Sequence, residues 1–112
     1  MSTTIHRQVL INARALIADP ARWTTGSLAR NAEGYAVDWH DSSARKWCAQ
    51  GAIYRAAFDL IGDRKRAVRI GNEVVQSICP PRWLRGSMLP SINDRQGQMA
   101  VLALLDKRLL AT

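Results

Sequence analysis

Between Ala44 and Ile61 the chain carries apolar residues nearly all the way round a helical wheel. At about 100 degrees per residue, Ala44, Trp47, Cys48, Gly51, Tyr54, Phe58 and Ile61 share one broad side. Ala49, Ala52, Ile53, Ala56, Ala57 and Leu60 spread over most of the rest. A helix of this kind offers almost no face to water, so other elements have to enclose it. Asp41-Ser42-Ser43 reads as its N-cap, and Gly62-Asp63 as its end and the cap of the next helix. Gly51 costs a helix interior about 1 kcal/mol, which close approach of neighbouring helices offsets. Arg55 and Asp59, one turn apart on the Cys48 side, read as a partly buried ion pair or as the rim of a pocket; a structural pair is the commoner case.

The remaining segments supply the cover. With 112 residues the chain suits one domain, 1–112, with a single modest core. Ile5, Val9, Ala13, Leu16 and Ile17 form one apolar helical face, with Leu10 on its flank and an end near Asp19-Pro20. His6 lies beside that face and reads as an edge residue of the core rather than a ligand. A third helix runs from Arg64 to about Ser77, with Ala67, Val68, Gly71, Val74, Val75 and Ile78 inward and Lys65, Arg69, Asn72, Glu73 and Gln76 outward. Cys79-Pro80-Pro81 stops it. After a connector through Ile92, a last helix spans about Gln98 to Leu110, with Val101, Leu104, Leu105 and Leu109 buried, and is expected to pack on the second.

Helical periodicity is lost between Arg22 and Trp39. Asn31-Ala32-Glu33-Gly34 supplies turn residues between Ser27-Leu28-Ala29-Arg30 and Tyr35-Ala36-Val37-Asp38, which predicts a short hairpin. Trp23 and Trp39 flank it. Packing against the core is favoured for them over an exposed stacking platform for bases or a ligand ring. The fold class is therefore mainly α: a small single-domain four-helix arrangement with a short β-hairpin between helices 1 and 2.

Charge narrows the partners. Sixteen Lys and Arg against nine Asp and Glu leave a formal charge of +7, and lysine appears only as Lys46, Lys65 and Lys107. An arginine-rich excess suits a polyanion or an acidic protein surface, because guanidinium forks hold phosphates and carboxylates bidentately. The arginines are scattered, however, and only Arg64-Lys65-Arg66 with Arg69 is dense. No apolar run approaches the roughly 20 residues needed to cross a bilayer, and Arg7 and Arg14 break the N-terminal segment, so no membrane association is expected and a cytoplasmic location is. Cys48 and Cys79 lack the close spacing of a metal knuckle and are expected as free thiols.

Cys48 is the one candidate nucleophile. A catalytic thiol needs a nearby base and a stabilised thiolate, and only His6 and His40 are available; a Cys-His-Asn set with Asn93 can be drawn. Counted from a cap at Ser42 or Ser43, Cys48 falls about one and a half turns into the helix, too deep for the strongest N-terminal field. Small cysteines on apolar helix faces are usually inert. The chain has no Gly-rich phosphate loop, no His-Glu-x-x-His and no metal-ligand cluster, so neither cofactor nor metal is expected, and an enzyme is not the favoured reading.

The order Leu16-Ile17, Trp23 with Gly26, Leu28-Ala29-Arg30 and Gly34, Trp47-Cys48 with Gly51-Ala52, Asn93-Asp94 and Val101 to Asp106 resembles a family of small bacterial and phage proteins known only as a domain of unknown function. The resemblance spans nearly the whole chain. It departs at Ile92, where the pattern usually has tryptophan, and at Gly97-Gln98, where a Thr cap would stand, which implies a less sharply capped last helix. It supplies no activity. It implies that Trp47, Cys48, Gly51, Asn93 and Asp94 form one linked feature, with Asp94 accepting backbone N–H bonds and tying the connector to the buried helix.

Two functions are expected from different classes. The first is a non-catalytic interaction or regulatory protein of a bacterium or its mobile elements. It would act on a protein partner, or on a second copy of itself, through Trp83, Leu84, Arg85, Met88 and Leu89. The alternative is a nucleic-acid binder using Arg64, Lys65, Arg66, Arg69, Arg82 and Arg85, against which stands the lack of a helix-turn-helix pattern or of a helix with Asn, Gln and Arg exposed on one face. A cysteine-dependent enzyme using Cys48 is the remote third.

Overall fold

A computed structural model describes residues 3–78 and 88–111. Five α-helices are present among these residues: α1 (Thr3–Ile17), α2 (Ala49–Ile61), α3 (Arg64–Ile78), α4 (Met88–Gln96) and α5 (Gln98–Leu110). Two short strands, β1 (Ala29–Asn31) and β2 (Ala44–Trp47), pair antiparallel between α1 and α2. The fold is thus mainly helical with a two-stranded element where the sequence places one. The fourth expected helix is preceded by another, because Met88–Gln96, read as connector, is helical and buries Leu89.

Helix α2 is the centre. Ala49, Gly51, Ala52, Ile53, Tyr54, Ala56 and Ala57 are all buried, with α1 packed on one side and α3 on another. Its start differs from expectation. The helix begins at Ala49 with Cys48 as N-cap, and Ala44–Trp47 is a strand instead of the first helical turn. Ala-Arg-Lys-Trp has adequate helix propensity, but pairing Ala29 with Trp47 and Arg30 with Lys46 satisfies those backbone groups across the chain, and tertiary pairing outweighs a propensity difference of a few tenths of a kcal/mol. The expected hairpin survives as one bridge, Arg30 with Ala36, closed by the Gly34 N–H on the Asn31 carbonyl at 3.0 Å. Its outer strand is not Tyr35–Asp38 but the more distant β2.

The periodic helices are where their patterns put them. On α1, Val9, Leu10, Ala13 and Ile17 are buried; on α3, Ala67, Ile70, Gly71, Val74 and Ile78 are. Gly62, in the left-handed region, ends α2 with its N–H on Phe58 O at 2.7 Å. The last helix packs on α1 and α4 rather than on α2, because α1 and α3 already occupy the flanks of α2. The Arg14 guanidinium grips the Asp106 carboxylate with two hydrogen bonds, and Gln98 Nε2 donates to Ile17 O at 2.8 Å, so the C-terminal end of α1 is stitched to α5 at two places. The start of α5 has no side-chain cap: Gly97 stands there with φ 89°.

Two glycines set the spacing of these elements. A Cβ on Gly71 would meet Tyr54 Cδ1 at 2.4 Å, so the contact between α2 and α3 depends on its absence. At Gly51 the approaching group is not a helix, as expected from sequence, but the backbone carbonyl of Leu28, whose oxygen would lie 1.9 Å from a Cβ. That carbonyl accepts the Cys48 N–H at 3.3 Å. A side chain, even one held at its hydroxyl by Gln50 and Asn72 as Tyr54 is, can shift further than a hydrogen-bonded backbone carbonyl. Gly51→Ala should therefore destabilise the protein by about 3 kcal/mol, the upper end of overpacking costs. Gly71→Ala should cost less. Urea midpoints of the two variants check the order, and equal or reversed losses would contradict the role given to Leu28.

Candidate functional site

The N-terminus of α2 is where distant segments meet. Helix ends leave backbone N–H groups without intrahelical acceptors, and here they face the chain rather than water. Cys48 Sγ accepts from Gly51 N at 3.4 Å, and Ala49 N donates to Asn93 Oδ1 at 3.0 Å. The same Asn93 oxygen accepts from Trp23 Nε1 at 2.8 Å, while its amide nitrogen donates to Thr24 O at 3.0 Å and to Asp94 Oδ1 at 3.1 Å. A primary amide has two donors and an oxygen with two lone pairs. Asn93, 0% exposed, uses all of them. Asp94 also accepts Gly26 N–H at 3.2 Å. Asp94 therefore holds the Gly26 loop, and the tie to the buried helix is made by Asn93.

Trp47 completes the cluster. It pairs with Ala29, bridges to Trp23, and donates its indole N–H to Trp39 O at 3.1 Å. Arg22 and Arg55 each place a guanidinium about 5.5 Å from the centroid of its ring (5.6 and 5.5 Å). Arg55 also pairs with Asp59 at 3.1 Å and donates to Asp41 O at 3.2 Å, so its role is to join α2 to the loop before β2. Trp39 is buried and Trp23 half-buried with its N–H engaged, so these rings pack as expected and form no exposed stacking platform.

Cys48 is a free, buried thiol beside a cavity of about 240 Å³ lined by Gly26, Ser27, Leu28, Cys48 and Asp94. Its position corrects the expectation that it lies deep in a helix: it is the cap itself. Even so, burial pushes its pKa up, outweighing the lowering effect of the Gly51 and Gln50 N–H groups, and the Asp94 carboxylate raises it further. The thiol is protonated at neutral pH. Neither histidine attends it. His6 Nε2 meets Glu73 Oε1 at 2.9 Å, a partner the sequence did not reveal. His40 packs on Trp39 and on Phe58, ten residues and so about 15 Å of helix from Cys48. Its Nδ1 lies 3.4 Å from Asp38 Oδ1 without hydrogen-bond geometry. The Cys-His-Asn set is not assembled.

Of the surface expected to meet a protein, Trp83, Leu84 and Arg85 lie outside the described residues, as does the side chain of Met88. Leu89 is 1% exposed, so it belongs to the core and offers nothing to a partner. Arg82 and Cys79 are also outside the described residues. Arg64, Lys65, Arg66 and Arg69 are brought together. All four are exposed on α3, and Asn72 and Gln76 continue the face. Lys65, Arg69, Asn72 and Gln76 fall within about 60 degrees of one another on the wheel. The expectation that no helix exposes Asn, Gln and Arg on one face is therefore overturned, and the outward residues of the third helix were the signal that carried it. Glu73, the one acid on α3, is turned to His6 at the edge of this face.

Two outcomes follow from the cluster. Asn93→Ala should destabilise the protein by about 2–3 kcal/mol, since it strands the buried Ala49 N–H and the part-buried Trp23 indole N–H, each at up to roughly 1–3 kcal/mol. Denaturant unfolding followed by tryptophan fluorescence reads this, and a loss below 1 kcal/mol would remove Asn93 from its role. For Cys48, a thiol whose pKa is raised on folding stabilises the protein fully below the unfolded pKa and loses that contribution as pH rises towards the folded one. Stability should fall above the ordinary thiol range, and Cys48→Ser should flatten that fall. In a Cys79→Ser background, Cys48 should react with a thiol reagent far more slowly folded than unfolded.

No curated protein and no solved structure matches this chain. The model of DUF6197, described as a family of unknown function, matches residues 1–108, and the chain belongs to that family.

Proposed function

We propose that this protein is a non-catalytic binding protein of a bacterium or its mobile elements, and that its partner is nucleic acid held against the exposed face of α3. One observation carries the reading. Among the described residues Lys65, Arg66 and Arg69 are exposed cations without an ion-pair partner, while Arg64 pairs with Asp38 at 3.5 Å and lies over the Trp39 ring at 5.5 Å. Lys65 and Arg69 share one side of a 15-residue helix with Asn72 and Gln76, Arg64 and Arg66 stand on its two flanks, and the opposite side is buried on α2. Cations left uncompensated on a rigid face bind phosphates with release of counterions, and Gln76 beside them is a side chain able to reach base edges, while Asn72 accepts the Tyr54 hydroxyl. A chain of net charge +7 adds a long-range field of the same sign.

A protein partner is the second reading, favoured by a different helix face. On α5, Met99 is 78% and Leu110 88% exposed, and with exposed Ala103 they share one side of the helix, an apolar stripe interrupted by the Arg14–Asp106 pair. Such a stripe suits a second copy of the chain or another protein.

One titration separates the two. Fluorescence anisotropy with random duplex and single-stranded DNA at roughly 50 mM salt should show binding that weakens steeply with added salt. The variant carrying Lys65→Gln, Arg66→Gln and Arg69→Gln should lose at least about tenfold in affinity and lower the salt slope by roughly one per cation removed. Absence of binding at that salt would sink the nucleic-acid reading. Light scattering on the same samples that returns a dimer and no nucleic-acid uptake would select the α5 stripe.

A further inference from the structure

A cavity of about 400 Å³ opens between the C-terminal end of α3, α4 and α5, lined by Ser77, Ile78, Ile92, Leu104, Lys107, Arg108 and Ala111. Its volume is in the range of small-molecule sites. Ile78, Ile92 and Leu104 make the wall apolar, and Lys107 and Arg108 bring two positive charges to it. No Asp or Glu among the described residues lines it. Residues 79–87, which follow Ile78 in the sequence, contain none either. The nearest acid along α5, Asp106, is taken by Arg14. Arg108 Nε is buried and has no hydrogen-bond partner among the described residues. A guanidinium is always charged, and leaving a buried N–H of such a group without an acceptor is costly enough that native proteins seldom do so.

An apolar wall and two cations with no acidic neighbour among the described lining residues have one complement. From them we infer that this cavity binds a small amphiphilic carboxylate, its apolar body against Ile78, Ile92 and Leu104 and its carboxylate on Lys107 and Arg108. The charge-assisted bonds fix orientation and select for an anion, while the apolar wall supplies the rest of the affinity. The inference is independent of the nucleic-acid reading, since the cavity shares only Ser77 and Ile78 with α3.

Calorimetry on the full chain with decanoate, decanol and decylamine, each below its micelle-forming concentration, tests this. Decanoate should bind and raise the thermal midpoint. Decanol and decylamine should bind at least about tenfold more weakly, the equivalent of one charge-assisted contact. Lys107→Gln, at an exposed position, and Arg108→Gln should each remove most of that preference, and Ile92→Trp should abolish uptake by filling the space. Equal binding of the three probes would overturn the inference, as would decanoate binding unchanged in Ile92→Trp. So would competitive displacement of decanoate by duplex DNA, which would assign Lys107 and Arg108 to phosphates. Self-association lost in Ile92→Trp would place a second copy in the cavity and overturn it likewise.

Discussion

The architecture depends on one buried amide. Asn93 sits where the α2 N-terminus, the loop after Trp23 and helix α4 converge, and each of its four hydrogen bonds goes to a different group. Backbone groups at a helix start normally look to water or to a local cap. Here Ala49 N–H looks to a side chain 44 positions away. Burying that helix end is affordable only because the acceptor is always there. The arrangement explains why Asn is required: Asp has no donor for Thr24 O, and Leu has no acceptor for Trp23.

Around that amide, Gly51 and Trp47 make the approach possible. The Leu28 carbonyl passes so close to α2 that any side chain at 51 would collide with it, and Trp47 joins β2 to both β1 and Trp23. Trp47, Cys48, Gly51, Asn93 and Asp94 are therefore one packing unit, with the thiol as a cap. The Cys48 environment argues in the same direction. Desolvation and a neighbouring carboxylate keep the proton on sulfur, whereas a nucleophile needs the reverse. What is exposed lies elsewhere, on α3 and α5.

Much of this was legible in the residues, and the failures have specific causes. The faces of α1, α3 and α5 follow from their apolar spacing, which a helix reads locally through neighbours three and four residues away. The strand Ala44–Trp47 was not legible, because its partner is β1 and no local pattern reports a pairing across a loop. Moving the α2 start to Ala49 in turn moved Cys48 from the helix interior to its cap. Leu89 looked exposed because α4 has a Pro near its start and only nine residues, so its periodicity was too short to read. The cationic face of α3 was present in the outward positions already assigned, yet that Lys65, Arg66 and Arg69 have no ion-pair partner among the described residues is something spacing does not show.

The sequence by itself determined that the domain is mainly helical, that the apolar helix ending near Ile61 lies at its centre, that the chain is basic, and that other helices end near Ile17, Ile78 and Leu110. These are consequences of periodicity, capping and composition, all of which act within a few residues. Tertiary structure alone decided that Asn93 caps α2 from afar, that Leu28 is the group Gly51 makes room for, and that Lys107 and Arg108 face a cavity walled by Ile78, Ile92 and Leu104. Each of those depends on which distant backbone groups and side chains come within a few ångströms, and that is fixed only when the whole chain has packed.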